Sequence, residues 1–271
     1  MYSRSQLLKK WLHYYLSASN GKGHGIHSPF VFDFVKNVLR DKKEYDQYSS
    51  IEAARQKLLK QTEEIEVQDL GAGSSVIKTN KRKISDIAAS SLKPKKYAQL
   101  LYRIAKYYNS PTGSSGKTTV ELGTSFGITS SYLAAGKPTA KLFTIEGSPA
   151  IANIAHKTFD ELALNNIELT QGDFNTVLPS LLAKLNSIDL AFIDGNHRKE
   201  STLDYFRQLL QHSNASTILI FDDIHWSSDM EEAWTEVQQS PQVTLTIDLF
   251  FIGLVFVNPA FKIKQNFVIR F

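Results

Sequence analysis

The chain has no cysteine among its 271 residues. Disulfide bonds and thiolate metal sites are therefore excluded, and the composition fits a reducing compartment. Long apolar runs are also missing, since the longest, 249–257 (LFFIGLVFV), has nine residues and a membrane-spanning helix needs roughly 20. The N-terminal stretch MYSRSQLLKKWLHYYL has charges within its apolar part and no small-residue cleavage site, unlike a secretory signal. We expect a cytoplasmic protein with no membrane partner.

Acidic residues are scarce in the first part of the chain. Residues 1–112 hold 20 Lys and Arg against 10 Asp and Glu, whereas residues 113–271 hold 11 against 17. The asymmetry has two interpretations. In the first, a basic appendage lies on or near an acidic core or simply faces solvent. In the second, the segments 78–83 (KTNKRK) and 93–96 (KPKK) form a basic surface for an anionic substrate. Because no aromatic-rich RNA-binding motif or zinc-knuckle spacing accompanies these lysines, the first interpretation is favoured and nucleic acid is not expected as a partner.

From residue 118 onward, strand and helix patterns alternate. Strands are predicted at 118–122, 140–146, 166–173, 188–195 and 216–223, with two more in 243–257 around a turn near Gly253 and a candidate edge strand at 266–271. Helices are predicted at 128–136, 148–164, 176–185, 199–212 and 228–239. This order predicts an α/β fold with a doubly wound, mostly parallel seven-stranded sheet. One of the last two strands must run antiparallel, because no helix separates them.

The first part of the chain has helical spacing instead, at 5–16, 28–39, 50–61 and 94–108. We predict a helical N-terminal appendage over 1–90 and a core domain over 91–271. The apolar stripes of these helices need burial, so the appendage is expected to pack over the ligand side of the core or against a second subunit. A homodimer is therefore left open.

Two glycine turns compete for the role of a cofactor loop, VQDLGAGSS (67–75) and TTVELGTSFGITSSYLAA (118–135). A cofactor loop needs a strand, a glycine turn, a helix and a second strand that ends in a ribose-binding acid. Basic residues without an apolar run follow the first turn. The second has Gly123 and Gly127 in the turn, and the next strand ends at Glu146, close to the ~20-residue spacing expected for such an acid. The second turn is predicted to hold the cofactor.

The details of this turn argue against a nicotinamide dinucleotide. The pattern E-L-G-T-S-F-G lacks the middle glycine of the dinucleotide fingerprint. Glu121 beside the turn would repel a pyrophosphate but would suit the ammonium group of an amino-acid tail. An ammonium, a ribose and an adenine together describe S-adenosylmethionine.

Five motifs, in this order, resemble class I methyltransferases and specifically their O-methyltransferase branches: ELGTSFGITSSYLAA, TIEGSP, QGDF, FIDGNH and IFDDIHW. The resemblance covers about 95–257. It implies that the cofactor's methionine end lies at the turn, its ribose at Glu146 and its adenine amine at Asp173. The residues implied at the turn are Glu121, Gly123, Thr124 and Gly127. From the residue types alone, two alternatives stay open: Thr124 could cap a turn and Asp173 could cap a helix.

Acids and histidines follow two predicted strands, Asp194 and His197 after the fourth and Asp222, Asp223 and His225 after the fifth. Ligands of parallel sheets lie beyond these strand ends. Three carboxylates gathered there favour a bound cation, and oxygen ligands without cysteine suit Mg²⁺, Mn²⁺ or Ca²⁺ better than zinc. Helix capping is the alternative for Asp222 and Asp223 near 228 and for His197 near 199. His225 and Trp226 are given no catalytic role.

The same residues resemble those of metal-dependent O-methyltransferases of the catechol and macrolide-sugar types, with D-G-N-H nearer to the latter. The resemblance implies Asp194, Asp222 and Asp223 as metal ligands, Asp194 also at the cofactor, and His197 as general base. The predicted function is a metal-assisted, S-adenosylmethionine-dependent O-methyltransferase for a small hydroxylated molecule. The alternatives are a metal-free methyltransferase acting on nitrogen or RNA, and a non-catalytic binding module that keeps the cofactor pocket.

Overall fold

The structure is a computed structural model that describes residues 1–19, 21, 27–67, 80–107 and 117–271. The predicted glycine turn after Val67, with Gly71 and Gly73, lies outside the described residues, as do most of the polar joint at 19–25 and the first two residues of the basic stretch 78–83. Within the described residues, no helix combines the length and the apolar character that a bilayer crossing demands.

Ten α-helices are found in the described residues, and a π-helical turn, Val35–Leu39, continues the second of them. They are α1 (Arg4–Ser17), α2 (Pro29–Phe34), α3 (Asp46–Lys60), α4 (Ile84–Ser91), α5 (Lys95–Tyr107), α6 (Ile128–Gly136), α7 (Pro149–Glu161), α8 (Phe174–Leu182), α9 (Lys199–Gln211) and α10 (Ser228–Gln239). Each of the predicted helices is present. The sequence analysis missed α4, because its buried Ile84, Ile87 and Ala88 directly follow the charged run KRK.

The described part of the chain also contains ten strands, which are β1 (Glu64–Glu66), β2 (Lys81–Lys83), β3 (Thr118–Leu122), β4 (Lys141–Glu146), β5 (Ile167–Gln171), β6 (Ile188–Ile193), β7 (Ser213–Asp222), β8 (Leu245–Asp248), β9 (Ile252–Phe256) and β10 (Gln265–Val268). The first two form a separate antiparallel pair that the sequence did not predict. The others form an eight-stranded sheet in the order β10-β8-β9-β7-β6-β3-β4-β5. Strand β9 runs antiparallel to β7 and β8, whereas the pairs β10–β8, β3–β4, β4–β5 and β6–β7 are parallel, which confirms a mostly parallel, Rossmann-like fold.

The sheet has eight strands rather than the seven predicted, because β10 pairs with β8 in parallel at the sheet edge. The turn between β8 and β9 also differs from the prediction near Gly253. It contains Phe250, whose φ is +72° and whose N–H donates to Asp248 Oδ1 at 2.8 Å. Gly253 lies inside β9, where a Cβ would come within 2.7 Å of the Trp234 ring. This glycine therefore permits close packing and does not make the turn.

The described chain forms two compact units, residues 42–184 and residues 1–41 together with 185–271. In the unit of residues 42–184, strands β3, β4 and β5 are parallel and in register. All nine residues of α6 are buried, and a Cβ at Gly136 would lie 2.6 Å from the Tyr102 carbonyl oxygen, so this helix packs closely on α5. A cluster of tyrosines, Tyr45, Tyr48, Tyr102 and Tyr132, fills the core beside α3.

In the other unit, strands β6 to β9 are almost wholly buried, as expected for strands covered on both faces. Helix α1 packs here through Tyr14, whose ring contacts Phe250 and whose hydroxyl donates to the Ile269 carbonyl oxygen. This helix begins with a capping box formed by Ser3 and Gln6, which the sequence analysis did not predict. The sequence-based division at residue 90 stays a prediction.

Candidate functional site

The second glycine turn has the backbone that a cofactor loop requires. Gly123 (φ +100°), Ser125 (φ +49°) and Gly127 (φ +81°) alternate through the left-handed region between β3 and α6. A Cβ at Gly127 would also lie 2.5 Å from the Phe159 ring. The N–H groups of Gly123 and Thr124 donate to the Ile145 carbonyl oxygen at 3.1 and 3.3 Å. The turn is therefore fixed to the end of β4, where the predicted ribose-binding acid lies.

Glu146, that predicted acid, is oriented by two backbone donors. Its Oε2 accepts from the N–H of Ser125 and its Oε1 from the N–H of Ser148, both at 2.9 Å. The side chain is only partly buried, so hydroxyl donors of a ligand can reach the carboxylate. Ser148 is 2 % exposed, and its Oγ has no hydrogen-bond partner among the described residues. A buried hydroxyl beside an oriented carboxylate fits a ribose-binding position.

Glu121 and Thr124 are both fully buried in a hydroxyl network under the turn. Glu121 Oε2 accepts from the Ser130 hydroxyl and, at 2.6 Å, from the Thr144 hydroxyl. The Thr124 and Thr144 hydroxyls are also 2.6 Å apart. The sequence analysis named Glu121 and Thr124 but missed Ser130 and Thr144, which lie on α6 and β4. Part of the role of Glu121 is therefore to hold the turn, and its contact with a cofactor stays a prediction.

Asp173 caps helix α8, the alternative that the sequence had left open. Its Oδ1 accepts from the Asn175 N–H at 2.9 Å. The preceding Gly172 has φ +150° and donates its N–H to the Glu146 carbonyl oxygen at 3.0 Å. Asp173 thus follows directly on a residue bonded to Glu146, which is compatible with the adenine position that the resemblance implies. That assignment stays a prediction.

In the unit that contains β6 and β7, the structure brings Asp194, His197 and Asp222 together. Their ligand atoms all lie within 4.8 Å of one another, and His197 Nε2 is 3.6 Å from Asp194 Oδ1. Asp194 and Asp222 are close because β6 and β7 are parallel and Ile193 pairs with Phe221. These paired residues directly precede the two acids in the chain. Asp222 is 2 % exposed, whereas Asp194 and His197 are partly accessible.

The loop between Asp194 and α9 is held by Asn196, which has φ +65°. Its side-chain amide donates to the hydroxyls of Ser201 and Tyr205 at 3.0 and 3.2 Å. The Trp226 ring lies against His197, with ring centroids 5.6 Å apart. The His197 ring, which belongs to the loop after β6, therefore lies against the turn after β7. No pattern in the sequence indicates the contact between Asn196 and α9.

Asp223, the third implied metal ligand, is not among the side chains that come this close. Its φ is +53°, and its N–H donates to the Phe251 carbonyl oxygen at 2.7 Å. Two adjacent residues of an extended strand point their side chains to opposite faces, so Asp222 and Asp223 would not both reach one site from a regular strand. The ligand role of Asp223 stays a prediction.

His225, to which the sequence analysis gave no role, lies between two carboxylates. Its Nδ1 is 3.0 Å from Glu231 Oε1 and its Nε2 is 2.8 Å from Asp248 Oδ2, and the ring stacks on Phe250. Burial disfavours the charged ring, but the hydrogen bonds of Asp248 and Glu231 outweigh it, so the pKa of His225 is raised. Glu231 and Asp248 are distant in sequence from the D-D-I-H-W motif, which explains why pattern alone missed them.

The carboxylates of Asp194 and Asp222 fit a hard divalent cation. Carboxylate oxygens without thiolates are the ligands that Mg²⁺ and Mn²⁺ prefer, and the imidazole of His197 lies beside them. The most buried of the three, Asp222, would lose a large part of its hydration, and a cation offsets that cost. For the cofactor, the fit rests on the oriented Glu146, the Ser148 hydroxyl and the left-handed turn of Gly123 to Gly127.

Comparisons with known proteins agree with this architecture. Residues 120–224 match a family model described as a methyltransferase domain. The structure of an O-methyltransferase from Bacillus cereus in complex with SAH is similar at a TM-score of 0.56 and 20 % identity, over 84 % of this chain and 97 % of that one. No curated protein matches the chain.

Two further structures cover most of the chain. The O-methyltransferase TomG from Streptomyces achromogenes, involved in tomaymycin synthesis and solved in complex with SAM, gives a TM-score of 0.55 at 17 % identity, over 80 % of this chain and 91 % of its own. The SAH-bound methyltransferase PaMTH1 from Podospora anserina gives 0.56 at 11 % identity, over 95 % and 97 %. The likeness at these identities concerns the fold. It confirms the predicted Rossmann-like fold, and the family match places a methyltransferase-like domain over residues 120–224.

Proposed function

We propose that this protein is an S-adenosylmethionine-dependent O-methyltransferase that acts on a hydroxyl group of a small molecule with the help of a divalent cation. The observation that carries the proposal is the cluster of Asp194, His197 and Asp222 at the ends of two parallel strands. In open parallel sheets this is the edge where ligands bind. The similar structures with SAH or SAM support the cofactor.

The residues of the unit 42–184 would hold the cofactor. Glu146 would accept hydrogen bonds from the ribose hydroxyls, since Ser125 and Ser148 already fix the carboxylate. The turn from Gly123 to Gly127 would let the backbone approach the methionine end, because glycine leaves no Cβ in the way. Asp173 would lie at the adenine. S-adenosylmethionine supplies an electrophilic methyl group on a sulfonium.

The residues of the other unit would prepare the acceptor. Asp194 and Asp222, with Asp223 as a further implied ligand, would hold the cation, which when bound lowers the pKa of a coordinated hydroxyl. The His197 imidazole would take the hydroxyl proton, while Asp194, 3.6 Å from Nε2, orients the ring. The deprotonated acceptor oxygen would be the nucleophile toward the methyl group that the bound cofactor would supply, with the thioether as the leaving group. Most of the rate enhancement would come from orientation. The proposed location is the cytoplasm.

The experiment is a methyl-transfer assay over a panel of catechols, sugar hydroxyls, amines and RNA, with Mg²⁺, with Mn²⁺ and with excess chelator. We expect transfer to a hydroxyl acceptor that the chelator abolishes and either ion restores. Mn²⁺ binding, measured by electron paramagnetic resonance, should be lost in Asp194→Asn and kept in Asp204→Asn, an exposed acid on α9. Full activity in chelator would refute the metal role, and transfer only to amines or RNA would refute the O-methyltransferase assignment.

A further inference from the structure

Glu231, on α10, joins helix α1 to the turn after β7. Its carboxylate lies 2.9 and 3.0 Å from the Lys10 ammonium and accepts from the Tyr2 hydroxyl at 2.8 Å. The same carboxylate contacts His225 Nδ1 at 3.0 Å. Three groups from two separate segments of the chain therefore meet at the side chain of Glu231, which is only 26 % exposed.

The turn of residues 222–226 is held from several directions through this network. His225 is bonded on its other side to Asp248 and stacks on Phe250. The Tyr2 N–H donates to the Trp226 carbonyl oxygen at 3.0 Å. Within the turn, the Trp226 N–H donates to the Asp223 carbonyl oxygen at 2.9 Å. Because Asp223 has a positive φ that costs free energy for a residue with a side chain, the turn depends on such outside contacts to keep its shape.

Helix α10 does not need Glu231 for its own formation. Ser227 caps the helix by accepting from the Met230 N–H at 3.2 Å. The adjacent Glu232 makes an ion pair with Lys199 at 2.9 Å. Glu231 instead contacts Lys10 of α1 and His225, both outside its own helix. His225 lies in the turn that begins at Asp222, a side chain of the proposed metal site.

We propose that Glu231 is a positioning residue for the acceptor side, which uses helix α1 to fix the turn that carries Asp222. The inference rests on the proposed function, because Asp222 is assigned there to the cation. Residues beyond the ligands of a metal commonly orient those ligands, and their loss weakens metal affinity by about 10–100-fold. Lys10 and Tyr2 give the N-terminal helix a specific function in this arrangement, in addition to covering apolar surface.

The test compares Glu231→Gln and Lys10→Met with the matched controls Glu232→Gln and Lys199→Met, which break a similar ion pair between α10 and α9. Hydrogen exchange of a peptide spanning 222–227 reports on the turn without any ligand. Mn²⁺ affinity by electron paramagnetic resonance reports on the proposed site, and SAH affinity by calorimetry reports on the cofactor. Lys10→Arg serves as the conservative rescue.

In Glu231→Gln and Lys10→Met we expect the turn to exchange about tenfold faster or more, the scale of losing hydrogen bonds to a charged group. Mn²⁺ affinity should fall about 10–100-fold, with SAH affinity unchanged. The two controls and Lys10→Arg should resemble the wild type. A general loss of stability would weaken the binding of both Mn²⁺ and SAH, so a fall in Mn²⁺ affinity alone would not follow from it.

Wild-type exchange and wild-type Mn²⁺ affinity in both Glu231→Gln and Lys10→Met would overturn the inference, and so would equal effects in the controls. If the wild type itself binds no Mn²⁺, the metal part of the proposed function fails, and hydrogen exchange alone then decides about Glu231. Should Glu231→Gln fail to fold, Lys10→Met, which keeps the carboxylate, decides in the same way.

Discussion

Glu146 accepts a hydrogen bond from the backbone N–H of Ser125 at 2.9 Å, although 21 residues separate them. The contact joins the glycine turn after β3 to the acid at the end of β4. It exists because β3 and β4 are parallel neighbours, with Leu122 paired to Ile145. The two features that the sequence analysis combined into one cofactor site are therefore physically coupled, and changing either should be felt at the other.

Replacing Glu146 tests this coupling. Glu146→Ala removes the proposed acceptor for the ribose hydroxyls and the anchor of the Ser125 N–H. We expect the dissociation constant for SAH, measured by calorimetry, to rise about 10–100-fold, which corresponds to ~1.5–3 kcal/mol for hydrogen bonds to a charged group. Glu168→Ala, which removes an exposed acid paired with Lys141 on the adjacent strand, is the control. Equal affinities in Glu146→Ala and the wild type would contradict the assignment.

Gly127 tests the turn itself. Gly127→Ala forces a side chain to a φ of +81° and places its Cβ 2.5 Å from the Phe159 ring. The backbone term alone is about 1–2 kcal/mol, so both the thermal midpoint and SAH affinity should fall. In Gly127→Ala with Phe159→Leu, the clash is relieved but the backbone strain stays, so recovery should be partial. A Gly127→Ala protein as stable as the wild type would show that the turn tolerates a side chain.

The sequence predicted those parts of the site that depend on strand order. Asp194 and Asp222 come together because they end parallel neighbours, and Gly123 to Glu146 form one site for the same reason. It did not predict the conformation of Asp223, because a positive φ is uncommon outside glycine and the enrichment of Asp there is too weak to single out one position. Nor did it predict His225, whose carboxylate partners come from α10 and from the end of β8 and whose surroundings depend on where α1 packs. Contacts between distant segments leave no periodic pattern in the chain.

His197 tests the proposed proton acceptor. In His197→Ala, turnover with a hydroxyl acceptor should fall ~10²–10⁴-fold, the usual contribution of a positioned general base. SAH affinity should be unchanged, because His197 is not among the proposed cofactor residues. The matched control is His212→Ala, the histidine that follows helix α9. Unimpaired turnover in His197→Ala would remove the base assignment, whereas a loss that excess Mn²⁺ restores would indicate that His197 is a metal ligand instead.

The network at Glu231 should also make stability depend on pH in a specific direction. Burial raises the pKa of the Glu231 carboxyl, but the hydrogen bonds of Lys10, Tyr2 and His225 outweigh it, so the pKa is lowered from its ordinary 4.5. Because the folded pKa is the lower one, the stabilisation is fully present above the unfolded value and is lost as the pH falls through the folded value.

Urea unfolding of the wild type and of Glu231→Gln between pH 3 and pH 7 measures this contribution. We expect the wild type to be more stable by about 1 kcal/mol near neutral pH, since the carboxylate is partly exposed. The difference should shrink as the pH falls below about 4.5, because protonated Glu231 then resembles glutamine. The same series with Glu232→Gln controls for the loss of one charge from α10. A difference that stays constant down to pH 3, or one that grows in acid, would show that the ionised carboxylate of Glu231 is not what holds α1 and His225.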